Sequence, residues 1–250
     1  MIKIGLVGAS GRTGRFVVEA LSNSEEARLY CALVSATSKS LGAIVLGTEI
    51  RYQTGLDSLA GSDIVIEFSD PRTSLEVARW CADKGVPALL ASTGHSTEQR
   101  GEIEQLGSRI ALGLTPNTSV GASALSYLAR EAKRLLGDSF DIEVLDIHHR
   151  MKRDAPSGTA QAIIGALNRE DPVVFGRQGQ RKSGEIGVVA LRGGDVVGDH
   201  TVYFLGNGER LELTHRVSTR AVFGQGAVCL ALRLMELPSG VYSAGELLVG

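Results

Sequence analysis

Cysteine, aromatic residues and long apolar runs are all scarce in this chain of 250 residues. The three cysteines, Cys31, Cys81 and Cys229, are far apart, and their spacing supports neither a disulfide framework nor a zinc ribbon. No apolar run reaches the roughly 18 residues that a membrane-spanning helix needs. No secretory leader can be separated from the strand-like stretch that begins at Ile2. We therefore expect a cytoplasmic protein without a membrane partner.

Positive charge is not in excess either. Lys and Arg number 26 against 28 Asp and Glu, which gives a formal net charge of -2, and aromatic residues make up only 5%. Proteins that bind nucleic acids need cations for the phosphates and rings on which the bases stack. We therefore expect no nucleic-acid partner. The 43% hydrophobic and 22% charged residues are an ordinary balance for a globular protein with a buried core.

The first part of the chain alternates short apolar runs with helical patterns, which is typical of βα units around a parallel sheet. The predicted strands are 2–7, 29–34, 64–68, 87–91 and 109–112, and the predicted helices are 12–21, 73–84 and 97–106. Together with a last helix at 226–234, this pattern predicts a Rossmann-like domain formed by residues 1–119 and 219–250.

A different pattern follows in residues 120–218. It predicts helices at 122–136 and 159–167 and strands at 140–147, 186–191, 196–205 and 210–217. From Glu185 onward the pairing is expected to be antiparallel, with turns at Gly193-Gly194 and Asn207-Gly208. The fold class is therefore α/β, with a second α+β domain whose sheet is mixed and largely antiparallel. The polar segment 169–184 is expected to be a mobile loop.

A glycine-rich loop lies between the first predicted strand and helix, with the sequence Gly8-Ala9-Ser10-Gly11-Arg12-Thr13-Gly14. That context is the one that a dinucleotide-binding fingerprint requires, although the spacing is G-x-x-G-x-x-G. Small residues let the backbone approach a pyrophosphate, and the free N–H groups at the helix start favour the anion. We assign Gly8, Ala9, Ser10, Gly11, Arg12 and Thr13 to a cofactor site. The alternative is an ordinary strand-to-helix turn.

The residues after the second strand bear on the choice of cofactor. An acidic residue at this place would bind the ribose hydroxyls of NAD, whereas this chain has Val34-Ser35-Ala36-Thr37-Ser38-Lys39. A 2′-phosphate could instead be bound by Ser35, Ser38, Lys39 and Arg12. We hypothesise that NADPH is used at least as well as NADH. The alternative is that Lys39 is a solvated loop residue.

A dense polar stretch begins at His148. Two histidines and three cationic residues fall within six positions, and Ser157-Gly158-Thr159 then opens a helix. A cationic cluster before a helix start suits a small dicarboxylate, and His or Lys can deliver a proton near neutral pH. No metal site is expected, because adjacent histidines on a strand point to opposite faces and no cysteine or third histidine is nearby in sequence. A solvated charge run is the other alternative.

The string His148-His149-x-x-Lys152-x-Asp154-Ala155-Pro156-Ser157-Gly158-Thr159-Ala160 resembles the signature of the 4-hydroxy-tetrahydrodipicolinate reductase (dihydrodipicolinate reductase) family of lysine and diaminopimelate synthesis. Other stretches stand in the family's order across nearly the whole chain: Gly8–Gly14, Phe68-Ser69-x-Pro71, Thr93-Gly94, Asn117-x-Ser119-Val120-Gly121, Gly194-Asp195-x-Val197-Gly198-x-His200-Thr201, Gly208-Glu209-Arg210 and Arg220.

The resemblance implies an NAD(P)H-dependent reduction of (2S,4S)-4-hydroxy-2,3,4,5-tetrahydrodipicolinate to tetrahydrodipicolinate with loss of water. It implies that His148 is the principal proton donor and acceptor and that Lys152 is a second donor. The substrate carboxylates would be held by His149, Ser157, Gly158 and Thr159. Further cofactor contacts would come from Phe68, Ala91, Ser92, Thr93, Thr115, Pro116, Asn117 and Thr118. A homotetramer built on the second-domain sheet is implied as well, and it would cover an open sheet face.

Two departures from the family pattern concern the cofactor. Ala91 stands where glycine is common, and the acidic residue often found after the second strand is absent. Three other functions stay open on the residues alone. They are a two-domain amino-acid dehydrogenase for an open-chain substrate, a nucleotide-sensing protein without turnover, and a related enzyme that makes a secondary metabolite from the same ring.

Overall fold

The computed structural model describes residues 1–167 and 171–249, and the chain forms two compact units. Unit 1 comprises Met1–Val120 and Arg220–Gly250, and unit 2 comprises Gly121–Thr219. Every described helix is too short or too polar to span a lipid bilayer.

The strands, in chain order, are β1 (Ile2–Val7), β2 (Ala27–Leu33), β3 (Tyr52–Gln53), β4 (Ile64–Glu67), β5 (Ala88–Leu90), β6 (Ala111–Leu114), β7 (Asp141–His148), β8 (Val173–Phe175), β9 (Ile186–Arg192), β10 (Gly198–Leu205), β11 (Arg210–Val217) and β12 (Gly240–Tyr242). The α-helices are α1 (Arg12–Ser22), α2 (Pro71–Lys84), α3 (Thr97–Leu106), α4 (Val120–Leu136), α5 (Gly158–Leu167), α6 (Ala221–Leu234) and α7 (Ala244–Val249).

Unit 1 is built on a seven-stranded parallel sheet in the order β12-β6-β5-β4-β1-β2-β3. The central strand β4 is apolar and buried on both faces, as is usual where helices cover a parallel sheet on both sides. Helices α1, α6 and α7 contribute side chains such as Val17, Leu230 and Leu247 to the core on one face. Helices α2 and α3 cover the other face with Val77 and Ile103. The predicted Rossmann-like architecture is confirmed.

Unit 2 contains a five-stranded mixed sheet in the order β11-β10-β7-β9-β8. The central strand β7 runs antiparallel to β10 and parallel to β9. Helices α4 and α5 cover one face, where Leu125 and Ile163 pack with Val144, Val188 and Phe204. The predicted α+β unit with a mixed sheet is therefore confirmed.

The predicted antiparallel pairing from Glu185 onward is wrong for its first strand. β9 pairs in parallel with both β7 and β8, and β7 lies between β9 and β10. The turn at Gly193-Gly194 reverses the chain without pairing the strands on either side of it. Alternation in sequence identifies a strand but not its neighbour, so only the pair β10 and β11, joined through Asn207-Gly208, is antiparallel as predicted. The four pairings are two parallel and two antiparallel rather than largely antiparallel.

Three other predictions need correction. Strand β6 lies at Ala111–Leu114 rather than at 109–112, and α6 begins at Ala221 rather than at 226. Residues 169 and 170 of the predicted mobile loop lie outside the described residues. The described remainder contains β8 and is held by ion pairs from Arg177 and Arg181 to Glu143 on β7. The short elements β3, β8, β12 and α7 were not predicted.

Candidate active site

The predicted cofactor residues gather at one edge of unit 1. Neighbouring parallel strands present their carboxyl ends at the same edge, which is where doubly wound sheets bind nucleotides. Each stretch follows one such end: Gly8, Ala9, Ser10, Gly11, Arg12 and Thr13 follow β1, Ser35 and Lys39 follow β2, Phe68 follows β4, Ala91, Ser92 and Thr93 follow β5, and Thr115, Pro116, Asn117 and Thr118 follow β6.

The loop after β1 is a close-fitting cradle. Gly8 has a φ of 78°, and a Cβ at this position would collide with the carbonyl oxygen of Phe68. The amides of Gly8 and Ala9 both donate to the carbonyl of Leu33, at 3.0 and 3.1 Å, which ties the loop to β2. Gly11 caps α1 without a side-chain hydrogen bond, and the first turn contains no acidic residue. A pyrophosphate therefore fits here without competition from a side-chain carboxylate.

The loop after β2 offers solvent-facing polar groups. Ser35, Thr37 and Lys39 are exposed, and the hydroxyls of Ser35 and Thr37 lie 3.4 Å apart. No carboxylate occurs between Val34 and Lys39. The segment therefore presents one cation and several hydroxyls at the edge where the ribose of a dinucleotide is usually held.

Glu67 is a residue of this edge that sequence reasoning missed. It ends β4, is fully buried, and its Oε1 accepts hydrogen bonds from the Ser92 hydroxyl at 2.7 Å and from the amide and hydroxyl of Ser69. Oε2 has no hydrogen-bond partner among the described residues. Ser92 is therefore turned inward to anchor the loop, while Thr93 next to it is exposed.

The loop after β6 is also held by its own side chains. The Thr115 hydroxyl donates to the carbonyl of Asn117 at 2.8 Å, and the buried Thr118 hydroxyl donates to the carbonyl of Phe223 at 2.7 Å. Asn117 Oδ1 accepts from the Ser119 amide at 2.9 Å. Pro116 is exposed. These side-chain contacts fix the backbone of the loop.

In unit 2 the site is centred on a buried carboxylate. Alternate residues of β7 face the helix-covered side of the sheet, which places Asp146 and His148 on the face that also carries Val144. Asp146 Oδ1 lies 2.9 Å from His148 Nδ1 and 3.3 Å from His200 Nε2. Asp146 Oδ2 accepts from the Ser157 amide at 2.8 Å and from Arg192 at 3.0 Å.

Four elements supply these groups. Strand pairing sets His200 of β10 opposite Asp146, and Arg192 of β9 opposite His148. Ser157 immediately precedes α5, and its Oγ accepts from the Ala160 amide at 3.1 Å and lies 3.1 Å from His200 Nε2. The start of α5 is therefore bound to the sheet through Asp146 and His200.

The environment of Asp146 favours its ionised form. Burial alone raises the pKa of this carboxyl, but the polar groups of His148, His200 and Ser157 close to it outweigh burial and hold the pKa well below its ordinary value. Arg192 adds a cation beside Oδ2. The site is therefore a fixed negative charge surrounded by two imidazoles and a guanidinium.

The structure corrects the expectation that no third histidine lies near His148 and His149. The sequence places no third histidine near His148 and His149, but the fold brings His200 within reach, and donor atoms of Asp146, His148 and His200 lie within 4.8 Å of one another. Asp146 Oδ2 is already engaged by Arg192 and by the Ser157 amide. A metal ion here would have to bind beside the guanidinium.

The other residues predicted to contact the substrate are close in sequence to His148 and Ser157, and they differ in how exposed they are. The Lys152 ammonium pairs with Asp154 at 2.9 Å, and the Lys152 amide donates to the carbonyl of His149 at 3.1 Å. His149 and Thr159 are half-buried and Gly158 is exposed. Ser157 is buried, and its amide and hydroxyl both have hydrogen-bond partners within the protein.

Space beside His148 depends on a glycine. A Cβ added to Gly198 would lie 3.0 Å from His148 Nε2 and 3.4 Å from Cδ2. A side chain at position 198 would therefore press against the ring edge that carries Nε2. Sequence reasoning had included Gly198 and His200 only as part of a longer matching string, although a histidine between apolar residues on the buried face of β10 is itself a signal.

Fold and site together define a two-domain reductase that uses a nicotinamide cofactor. Residues 2–118 match the family described as dihydrodipicolinate reductase, N-terminus, and residues 121–248 match its C-terminus. Two relatives named 4-hydroxy-tetrahydrodipicolinate reductase are similar over nearly their full length. The protein of Anaeromyxobacter sp. strain Fw109-5 is 40% identical, covering 99% of this chain and 98% of the relative. That of Methanopyrus kandleri is 41% identical, covering 100% and 98%.

A solved structure has the same fold. It is a dipicolinate-bound dihydrodipicolinate reductase from Paenisporosarcina sp. TG-14, with a TM-score of 0.81, 23% identity and 97% coverage of both chains. This chain belongs to the dihydrodipicolinate reductase family.

Proposed function

We propose that this protein reduces (2S,4S)-4-hydroxy-2,3,4,5-tetrahydrodipicolinate to tetrahydrodipicolinate with NADH or NADPH and releases water. Family membership across both units supports the reaction. The observation that carries it is the cluster in unit 2, where a buried carboxylate and two histidines adjoin the start of α5. A cyclic dicarboxylate needs both features, a proton donor for the ring and an anion site for its carboxylates.

The cofactor site is proposed on unit 1. The cradle Gly8–Thr13 would hold the pyrophosphate, while Ala91–Thr93 and Thr115–Thr118 would face the nicotinamide side and Phe68 would lie between them along the edge. When bound, the nicotinamide supplies the hydride that adds to C4 of the ring. Ser35, Lys39 and Arg12 are the proposed contacts of a 2′-phosphate, so NADPH should serve at least as well as NADH.

Proton transfer is proposed for His148 and Lys152. The 4-hydroxyl leaves with a proton as water while a ring C–H is deprotonated, and after hydride addition at C4 one proton returns to the ring. His148 is the principal donor and acceptor, because Gly198 places no side chain against its Nε2 edge and an imidazole can exchange a proton near neutral pH. Lys152 is a second donor. The substrate carboxylates are held at the start of α5 and beside it, by His149, Ser157, Gly158 and Thr159.

The second sheet supports a proposal about assembly. The face of this sheet opposite α4 and α5 carries exposed Val189, Leu191 and Leu205. Exposed apolar side chains on a sheet face favour contact with another copy of the chain. We propose a homotetramer built through this face, in the cytoplasm.

The reaction is tested by supplying the condensation product of pyruvate and aspartate semialdehyde and following the loss of NADH or NADPH absorbance. We expect turnover with both cofactors, and a kcat/KM for NADPH at least equal to that for NADH. No turnover with either cofactor would refute the proposed reaction. A strong preference for NADH would refute only the assignment of Ser35, Lys39 and Arg12.

A further inference from the structure

We infer that Asp146 is the positioning residue of His148, holding the imidazole so that its proton sits on Nδ1 and Nε2 is presented to the substrate. The inference rests on the proposed function in one respect, namely that His148 takes part in the proposed reaction. Asp146 is not part of the signature string. It lies on β7, two residues before the string begins at His148.

The first step concerns Asp146 Oδ1. Asp146 has no exposed surface, so water cannot satisfy this oxygen. His148 Nδ1 at 2.9 Å and His200 Nε2 at 3.3 Å lie beside it, although neither contact is aligned as a hydrogen bond. A buried carboxylate oxygen facing two bare nitrogen lone pairs would be strongly unfavourable. If the proton is on Nδ1, a small rotation of the His148 ring lets Nδ1 donate a hydrogen bond to Asp146 Oδ1.

The second step concerns Oδ2, which keeps the carboxylate from turning. Oδ2 is held by the Ser157 amide at 2.8 Å and by Arg192 at 3.0 Å, two groups from different elements. Arg192 also donates to the carbonyl of Asp154 at 2.8 Å, which fixes the guanidinium itself. With Oδ2 fixed on both sides, Oδ1 has one orientation, and His148 must adapt its ring to that oxygen.

The third step concerns the opposite edge of the ring. With the proton on Nδ1, neutral His148 carries its lone pair on Nε2, and the same atom donates when the ring is protonated. Nε2 is the ring atom that lies nearest to where a side chain at position 198 would be, and Gly198 has none. The ring of His200, centred 5.2 Å away and nearly perpendicular, limits the tilt of His148.

A purely structural role for Asp146 must be distinguished, because its bond to the Ser157 amide attaches α5 to β7. Asp146→Asn keeps an oxygen for that amide but replaces the charge. The matched control is Glu143→Gln, the same change on the same strand but on the opposite face, where Glu143 pairs with Arg177 and Arg181. Asp146→Glu restores the charge and serves as the rescue variant.

The deciding measurement is the ¹⁵N spectrum of imidazole-labelled protein, with the His148 signals assigned by their loss in His148→Gln. At a pH where His148 is neutral, wild type should show a protonated Nδ1 and a bare Nε2. Bare Nδ1 in wild type would overturn the inference whether or not any variant folds. This spectrum needs no substrate, so it is independent of the proposed reaction.

The Asp146 and Glu143 variants then test whether the position of the His148 proton affects turnover. Asp146→Asn should shift the tautomer and lower kcat roughly tenfold or more with little change in KM, whereas Glu143→Gln should leave both unchanged. Asp146→Glu should recover part of kcat. If Asp146→Asn remains folded with an unchanged tautomer and kcat, the inference is wrong. If the tautomer shifts as expected but wild type has no turnover, the proposed reaction fails and the positioning role of Asp146 stands.

Discussion

The two units build their sites from different parts of the chain. In unit 1 the residues that face the proposed cofactor lie in loops at the ends of adjacent parallel strands, and their most important feature is a backbone shape fixed by glycine. In unit 2 the site consists of side chains from three strands and a helix start that converge on Asp146. A backbone site depends on local sequence, whereas a side-chain site depends on long-range pairing. The two should therefore fail in different ways when single residues are changed.

The largest effect is expected at His148. His148→Gln keeps a side chain of similar length but cannot carry a proton near neutral pH, so kcat should fall by about a hundredfold or more while KM changes little. Steady-state kinetics measure this. A large rise in KM with an unchanged kcat would mean that His148 binds the substrate instead.

The next largest effect is expected from a substitution that disrupts the cradle of unit 1 and leaves unit 2 intact. Gly8→Ala introduces a Cβ that collides with the Phe68 carbonyl at a positive φ, so we expect the dissociation constant of NADPH to rise about tenfold or more and Tm to fall. The control is Gly47→Ala, because Gly47 has nearly the same φ, 79°, but nothing lies within 4 Å of its added Cβ. That variant should cost only about 1–2 kcal/mol of backbone strain. Equal loss of NADPH binding in both would contradict the cradle.

A smaller effect is expected where α5 begins. Thr159→Val removes a hydroxyl but keeps the shape of the side chain, so KM for the dicarboxylate should rise about tenfold through loss of one charge-assisted hydrogen bond, with kcat nearly constant. A fall in kcat at constant KM would assign Thr159 to the chemical step.

The smallest effect is expected at Gly198, beside the Nε2 edge of the His148 ring. Gly198→Ala places a methyl 3.0 Å from His148 Nε2, which the ring can relieve by moving a few tenths of an ångström, so kcat should fall about two- to fivefold. Gly193→Ala is the control, since nothing lies within 4 Å of its added Cβ. If both variants keep wild-type kcat, the space beside Nε2 has no bearing on turnover.

The same contrast explains what could be predicted from sequence. The cradle at Gly8–Gly14 could be inferred from the sequence itself, because strand, loop and helix follow one another directly. The loops at Ala91–Thr93 and Thr115–Thr118 were inferred only from the family resemblance. Asp146, Arg192 and His200 were not predicted as one cluster. They meet only because β7 lies between β9 and β10, and the turn at Gly193-Gly194 indicates a different pairing. The inward turn of Ser92 was missed for a similar reason, since Glu67 lies 25 residues away in the chain.

Unit 1 takes α6 and β12 from the far end of the chain, and this has a consequence for its folding during synthesis. Leu230 and Leu234 of α6 are fully buried in the same core as Ile4 and Leu6 of β1. A ribosome-bound chain that ends before α6 lacks this part of the core, whereas all of unit 2 has already been made. We therefore expect unit 2 to acquire protease resistance first on stalled ribosomes, although its synthesis begins later.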